Sequence, residues 1–354
     1  MIHGGDVYSA GLLKGRELID FSSNINPLGV PKSFLDNMNK AVEALVRYPD
    51  IEYRKLIESL NLYIRETYKV SYLTQDNFVL GNGASEVIDL CIGHSKKVLI
   101  LTPSFLEYEL SAVKARCEIL YSSLDENMDY DYEDINNKLR EVDSFIIGNP
   151  NNPNGGILDR DKFKEILNYC EKNKKIVVVD EAFIEFTGDR EHSVIKEIEK
   201  YKCLLIIKAI TKFFAMPGIR FGYGISSNKS LIKQLKAKQN PWNINCFAEI
   251  AAIYALTDKE YTASSLKWIA EERKFLELEL SKLKCISRVY KTHANFILCK
   301  LKGIDCDTLY ERCLKKQILI RRASNFKGLD ENFVRFAVKD RKNNATLINA
   351  LKNI

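Results

Sequence analysis

A chain of 354 residues with 46% hydrophobic and 28% charged residues has the balance of an ordinary globular protein, which excludes the disordered and fibrous classes. Its net charge of +6 comes from Lys and Arg interleaved with Asp and Glu along the whole length. No tract is basic enough to predict nucleic-acid binding, and the length allows a large core with more than one lobe.

The first thirty residues have little periodicity and read as an extended arm containing Asn26-Pro27-Leu28-Gly29. Met1-Ile2-His3-Gly4-Gly5-Asp6 lacks the basic and apolar regions of a signal peptide. From about residue 75 to 225, short apolar runs alternate with amphipathic segments. The runs predict strands at Asn77–Leu80, Lys97–Leu101, Glu118–Tyr121, Ser144–Ile147, Ile176–Val179, Leu204–Ile207 and Arg220–Gly224. Helices are expected at Ser85–Ile92, Phe105–Ala115, Asp159–Lys172 and Val194–Lys200. Such alternation implies an α/β protein with a mainly parallel sheet covered on both faces. Ligands in that architecture sit beyond the carboxyl ends of the strands.

After Trp242 the pattern changes to that of a smaller α+β lobe. Helices are expected at Cys246–Leu256, Ser264–Leu283 and near Asp307–Lys315, and strands at Ser287–Tyr290, Asn295–Lys300 and Phe333–Val338, with a closing helix. The expected division is therefore a large domain over 30–245, with 1–29 and 246–354 forming the arm and the small domain. No apolar stretch approaches a membrane span. The nine cysteines show no C-x-x-C and no metal-ligand spacing, so reduced thiols, no metal and a cytoplasmic location are expected.

Chemistry concentrates just after the apolar runs. Val177-Val178-Val179 ends on Asp180, and Lys212 follows the run from Cys203 to Ile207. An amine and a carboxylate at neighbouring strand ends suit pyridoxal phosphate: the lysine condenses with the aldehyde and the acid keeps the ring nitrogen protonated. Without the lysine, Asp180 would read first as a helix cap, and Lys212 by itself as a solvated surface residue, as most lysines are. Phe213 and Phe214 argue for an apolar setting, which lowers a lysine pKa. Gly81-Asn82-Gly83-Ala84-Ser85 offers a helix amino end to an anion, although Gly-Asn-Gly is also a common turn. Asn152 lies in the proline-stiffened loop Asn149–Gly156, and Phe105 follows a strand end, where an aromatic can stack on a planar ring or fill the core. Arg220 lies near a Pro217-Gly218 turn. Arg321 and Arg335 lie in apolar runs, where an arginine needs an anion, either a ligand or an internal Asp or Glu.

In order, G-N-G-A-S-E, N-P-N-N-P-N-G, V-V-D-E-A, T-K-F-F-A-M-P-G-I-R-F-G-Y and F-V-R-F resemble the fold-type I pyridoxal-phosphate enzymes, in the class I/II aminotransferase branch. His3-Gly4-Gly5, Asp20 to Gly29, Arg47-Tyr48-Pro49-Asp50, Asp180-Glu181-Ala182-Phe183-Ile184 and Pro241-Trp242-Asn243-Ile244-Asn245 extend the likeness. They point toward the threonine-phosphate decarboxylases of cobalamin biosynthesis, themselves similar to histidinol-phosphate aminotransferases. The resemblance implies a seven-stranded, mainly parallel sheet in the large domain, pyridoxal 5'-phosphate, and a homodimer acting on a phosphorylated amino acid.

It also implies Lys212 and Asp180 as the catalytic pair, Asn152 at the ring hydroxyl and Phe105 on the ring face. Ala84, Ser85, Thr211 and Arg220 would hold the cofactor phosphate, with Tyr48 reaching in from the partner subunit. Arg335 would grip the substrate carboxylate; Arg321, with His3 and Asn26, the substrate phosphate. Two departures stand out. Ala209 replaces a hydroxyl residue in the expected phosphate cup, and Phe183 stands where many aminotransferases place a ring-contacting tyrosine. The second favours the decarboxylase over the aminotransferase.

Overall fold

A computed structural model describes residues 4–352. The seven apolar runs form the strands of one sheet, β1 (Phe78–Gly81), β2 (Lys97–Thr102), β3 (Glu118–Ser123), β4 (Ser144–Gly148), β5 (Ile176–Asp180), β6 (Leu204–Ala209) and β7 (Gly222–Ile225). Their spatial order is β1-β7-β6-β5-β4-β2-β3. All neighbours are parallel except β7, which runs antiparallel to both β1 and β6. The central strands are buried along both faces, which is why they read as unbroken apolar runs rather than as alternating ones. One face carries Val98, Ile100, Ile146, Val178 and Leu205 against α1 (Ala84–Ile92) and α2 (Leu106–Lys114). The other face presents Phe145, Ile147, Val177, Val179 and Ile206 to the larger core.

The expected strand Arg220–Gly224 begins instead at Gly222, because Arg220 sits in the left-handed region at φ 60° and ends a turn. The segment expected to be helical at Val194–Lys200 is a 3-10 turn over Ile195–Glu199.

The smaller lobe has an antiparallel sheet of β8 (Ile286–Val289), β9 (Phe296–Leu301), β10 (Arg321–Arg322) and β11 (Phe333–Ala337), in the order β10-β11-β9-β8. The long helix Lys259–Ser281 starts five residues earlier than its apolar pattern suggested, because the Asp258 carboxylate accepts the N–H of Tyr261 as an N-cap. The amino-terminal arm is more ordered than its sequence implied. It contains a short helix at Val7–Ala10, and Ile19–Asp20 pairs in parallel with Ile318–Leu319. Among the described residues no helix is long and apolar enough to cross a membrane, no three metal-ligating side chains cluster, and all nine cysteines are free thiols.

Candidate active site

The sheet gathers the chemistry along one edge. The carboxyl ends of β2, β4, β5 and β6 lead directly to Phe105, Asn152, Asp180 and Lys212. Antiparallel β7 brings its amino end to the same edge, where Gly222 is paired with both Gly81 and Ala209. Phe105, Asn152, Asp180 and Lys212 line a cavity of about 260 Å³ with Ala84, Ser85, Thr211, Arg220, Arg321 and Arg335, slightly below the usual range of about 300–1,000 Å³ for ligand pockets.

Asp180 is buried at the end of β5. Its Oδ1 accepts the Ala182 N–H at 3.0 Å and its Oδ2 accepts the Tyr108 hydroxyl at 2.7 Å. Burial pushes the Asp180 carboxyl above the ordinary range, while the Tyr108 and Ala182 donors and the Lys212 charge pull the other way. The Lys212 amine is brought down to about 8, by burial first and then by the Arg335, Arg220 and Lys339 charges. An amine poised there is a nucleophile near neutral pH.

Arg335 projects from β11 and is 4% exposed. Its Nη2 donates to the Ser22 carbonyl at 2.9 Å, its Nη1 donates to Asn152 Oδ1, and its Nε has no partner. Among the described residues it forms no ion pair with Asp or Glu. Burial, then the Arg321 charge, lowers it to about 9. Arg321 is its direct cross-strand neighbour and donates to Asn325 at 2.8 Å while lying over the Phe326 ring. Two arginines side by side on one cavity wall repel each other, and an anion between them would offset that cost.

Pyridoxal phosphate can be tested against these features. Helix α1 opens at Gly83, φ 87°, with no side chain capping its first N–H groups. Its first-turn acid, Glu86, is held by Asn82, Gln239 and Asn243. A methyl group on Gly222 would lie 2.4 Å from the Ala84 nitrogen, and one on Gly83 would meet Arg220 at 2.6 Å. This is a backbone-lined cradle closed by a guanidinium, the arrangement a phosphate needs. A buried acid, a depressed lysine and an aromatic at Phe105 complete a fit to the heterocycle. Ala209 lines the cavity without a hydroxyl, and Phe183 packs edge-on against Phe296 with ring centroids 5.1 Å apart.

Two expected residues are elsewhere. Asn26 does not reach the cavity: its Nδ2 donates to the Phe213 carbonyl and Ser265 Oγ, both at 2.8 Å, and its Oδ1 accepts the Leu28 N–H. It anchors the arm and has no donor left for a substrate phosphate. Tyr48 is 77% exposed and stacks on Trp242 at 4.7 Å, away from the cavity of its own chain. His3 lies outside the described residues.

Other site residues had not been singled out. Tyr108 lies one helical turn beyond Phe105, a spacing that puts both on one face. Asn24 lines the cavity with its Oδ1 unpartnered. Lys208 is fully buried between Glu181 at 3.1 Å and Glu185 at 3.4 Å, with the Tyr68 hydroxyl at 2.9 Å. The i, i+4 spacing of the two glutamates was the available signal.

Comparison with known proteins places these features. The description "Aminotransferase class I and II" matches residues 16–351. A relative from Caldanaerobacter subterraneus subsp. tengcongensis, named provisionally as a threonine-phosphate decarboxylase, is 41% identical, covering 99% of this chain and 93% of its own. A histidinol-phosphate aminotransferase of the same organism is 31% identical over 94% of this chain and 92% of its own. The crystal structure of the histidinol-phosphate aminotransferase from Clostridium acetobutylicum superposes with a TM-score of 0.92 at 54% identity, covering 95% of this chain and 98% of that one. The Sinorhizobium meliloti histidinol-phosphate aminotransferase, solved in complex with pyridoxal-5'-phosphate, shares the fold at a TM-score of 0.84 and 18% identity, over 98% and 93% of the two chains.

Proposed function

The chain belongs to the class I and II aminotransferase family of pyridoxal-phosphate enzymes, and from that membership we propose that it decarboxylates L-threonine O-3-phosphate to (R)-1-aminopropan-2-ol O-2-phosphate, the threonine-phosphate decarboxylase step of cobalamin biosynthesis. The observation that carries this reading is the pairing of Arg321 with Arg335 on the wall of the cavity that also holds Lys212 and Asp180. Two neighbouring guanidiniums suit a substrate with two anionic groups. Threonine phosphate has a carboxylate and a phosphate, whereas histidinol phosphate has no carboxylate. Phe183 and the higher identity to the Caldanaerobacter decarboxylase than to that organism's aminotransferase support the same reading.

When bound, pyridoxal phosphate supplies an aldehyde for the substrate amine and a protonated ring that accepts the electrons of the broken bond. The residues do the rest. Ala84, Ser85, Thr211 and Arg220 hold the cofactor phosphate, with Ser85 and Arg220 compensating for the missing hydroxyl at Ala209. Phe105 would cover one ring face, Asn152 would donate to the ring hydroxyl through its amide, and Asp180 would provide the negative charge at the ring nitrogen. Arg335 grips the carboxylate and Arg321 the phosphate, which fixes the substrate's rotation about Cα and so decides which bond is cleaved. Lys212 returns a proton to Cα after carbon dioxide leaves.

The proposed assembly is a cytoplasmic homodimer, with 30–245 as the cofactor-binding domain and the partner subunit's Tyr48 reaching the cofactor phosphate. The exposure of Tyr48, stacked on Trp242, and of Val42, Leu45 and Val46 just before it in the chain supports this.

The competing reading is an aminotransferase acting on histidinol phosphate or another amino acid, and the 54% identity to the Clostridium structure favours it. A single-turnover reaction with threonine phosphate separates the two. Carbon dioxide release without a keto acid supports the lyase; accumulation of pyridoxamine phosphate sinks it.

A further inference from the structure

We infer that Tyr108 is a positioning residue for Asp180: its phenol holds the carboxylate turned and charged so that it faces a protonated ring nitrogen in the cavity. This rests on the cofactor reading above and extends it to a residue with no role assigned there.

Packing accounts for the Tyr108 ring but not for its oxygen. The side chain is 2% exposed within an apolar cluster that includes Val79, Ile88, Ile100 and Ala112. A phenylalanine would fill that volume as well. A buried hydroxyl needs a partner, and this one reaches a single acceptor, Asp180 Oδ2, at 2.7 Å. Tyr108 stays protonated, because burial and the Asp180 charge push its phenol well above the ordinary range. Toward an ionised carboxylate, which has no proton to give, it can act only as the donor.

The geometry leaves the acid able to serve a ligand. An ionised carboxylate offers about four lone-pair sites, and Tyr108 and the Ala182 N–H occupy one on each oxygen. The remaining sites are available to a ring N–H. Both bonds are stronger to the ionised group than to the neutral acid, so they oppose the tendency of a buried acid to take up a proton. The charged and titratable groups that act on Asp180 are Tyr108 from α2, Glu181 immediately after β5 and Lys212 from the loop after β6. Of these, Glu181 favours the neutral acid, and its effect is softened by its own ion pair with Lys208.

Helix α2 thereby supplies two contacts to one ring. Phe105, its N-cap, stands edge-on to Tyr108 at 5.7 Å between centroids and 90° between planes. If Phe105 covers the face of the heterocycle, Tyr108 sets its edge through Asp180, and the two cannot move independently.

The test uses the full-length protein in cofactor-free and loaded forms. Carbon-13 carboxyl NMR, assigned with Asp180→Asn, follows the Asp180 titration in wild type, Tyr108→Phe and Tyr130→Phe. Tyr130 is a similarly buried control whose hydroxyl donates to the Gly148 carbonyl at 2.5 Å rather than to an acid. The expected result is an Asp180 titration moved upward by about one pH unit or more in Tyr108→Phe and unmoved in Tyr130→Phe. The acid limb of pyridoxal-phosphate affinity, read from visible absorbance, should move with it. Site-specific 3-fluorotyrosine at position 108, a stronger donor of the same shape, should move the titration downward and keeps the test available if the phenylalanine variant does not fold. An Asp180 titration indifferent to both replacements overturns the inference. Failure of the wild-type protein to take up the cofactor overturns the functional reading instead, and it appears in the wild-type arm alone.

Discussion

Arg321 and Arg335 stand directly opposite each other in the antiparallel ladder of the small sheet, and both line the cavity. Like charges at such a position destabilise a sheet, so an anion bound between the two guanidiniums would offset their repulsion. Arg335→Lys keeps the charge but loses the planar fork that donates to Ser22 and Asn152. A hydrogen bond to a charged group is worth about 1.5–3 kcal/mol, so kcat/KM for threonine phosphate should fall by about 10–100-fold. Steady-state kinetics should show the loss mostly in KM; an unchanged KM would mean that Arg335 does not touch the substrate.

The Lys212 amine, held near 8 against an ordinary 10.5, sets a pH dependence. Covalent capture of pyridoxal phosphate needs the neutral amine, so its rate in cofactor-free protein should rise with pH and reach half its plateau near 8. The same shift has a stability consequence of opposite sign to that of a salt-bridged lysine. Between about 8 and 10.5 the unfolded chain binds more protons at this position than the folded one, so this group's contribution to stability becomes more favourable as pH rises through that window. Stopped-flow absorbance measures the first effect. Comparing wild type with Lys212→Met in urea unfolding isolates the second.

Lys208 gives a prediction about stability alone. It is 1% exposed and neutralises Glu181 and Glu185. Lys208→Met leaves the buried Glu181 and the partly buried Glu185 without their cation, and breaking such a pair costs about 3–5 kcal/mol. Equilibrium unfolding should show a loss of that size. Lys208→Met/Glu185→Gln should recover part of it, since one unpaired charge is then gone.

Gly222 makes a steric prediction. An alanine there would bring its methyl within 2.4 Å of the Ala84 nitrogen, and backbone must move to admit it. Overpacking of this kind costs about 1–3 kcal/mol. Gly222→Ala should lower both the unfolding midpoint and cofactor affinity, because the displaced strand and helix form the proposed phosphate cradle. Normal affinity in a destabilised variant would place the phosphate elsewhere.

Tyr48 tests the assembly. If the partner subunit's Tyr48 completes the cofactor site, Tyr48→Ala should weaken cofactor binding by about tenfold, as expected for a lost hydrogen bond near 1.4 kcal/mol. Sedimentation velocity should report a dimer for the wild type. A monomer with full cofactor affinity would refute the shared site.

The large sheet was legible because its strands are buried on both faces and carry continuous apolar runs, as in Val177-Val178-Val179. Lys212 and Asp180 were legible only as a pair, since each alone had an ordinary structural reading, and the sheet brings both to one cavity. What escaped were residues whose task depends on contacts far along the chain. Asn26 and Asn24 are two residues apart and chemically identical, yet only Asn24 reaches the cavity. The difference is set by Phe213 and Ser265, 187 and 239 residues away. The order of the arm was hidden for the same reason, since its short strand is stable only beside Ile318–Leu319. The strand expected at Leu204–Ile207 continues through Lys208 to Ala209, because Glu181 and Glu185 neutralise the buried ammonium.

The arm has a steric corollary. Gly4 is part of the cavity wall, and Gly5 donates its backbone N–H to Ser22 Oγ at 2.7 Å, so this part of the arm borders the cleft. A side chain at position 4 would lie 2.2 Å from the Ser22 carbonyl oxygen, which accepts from Arg335 Nη2. Even a methyl group there would therefore shift the seat of that arginine, although it touches no part of the guanidinium itself.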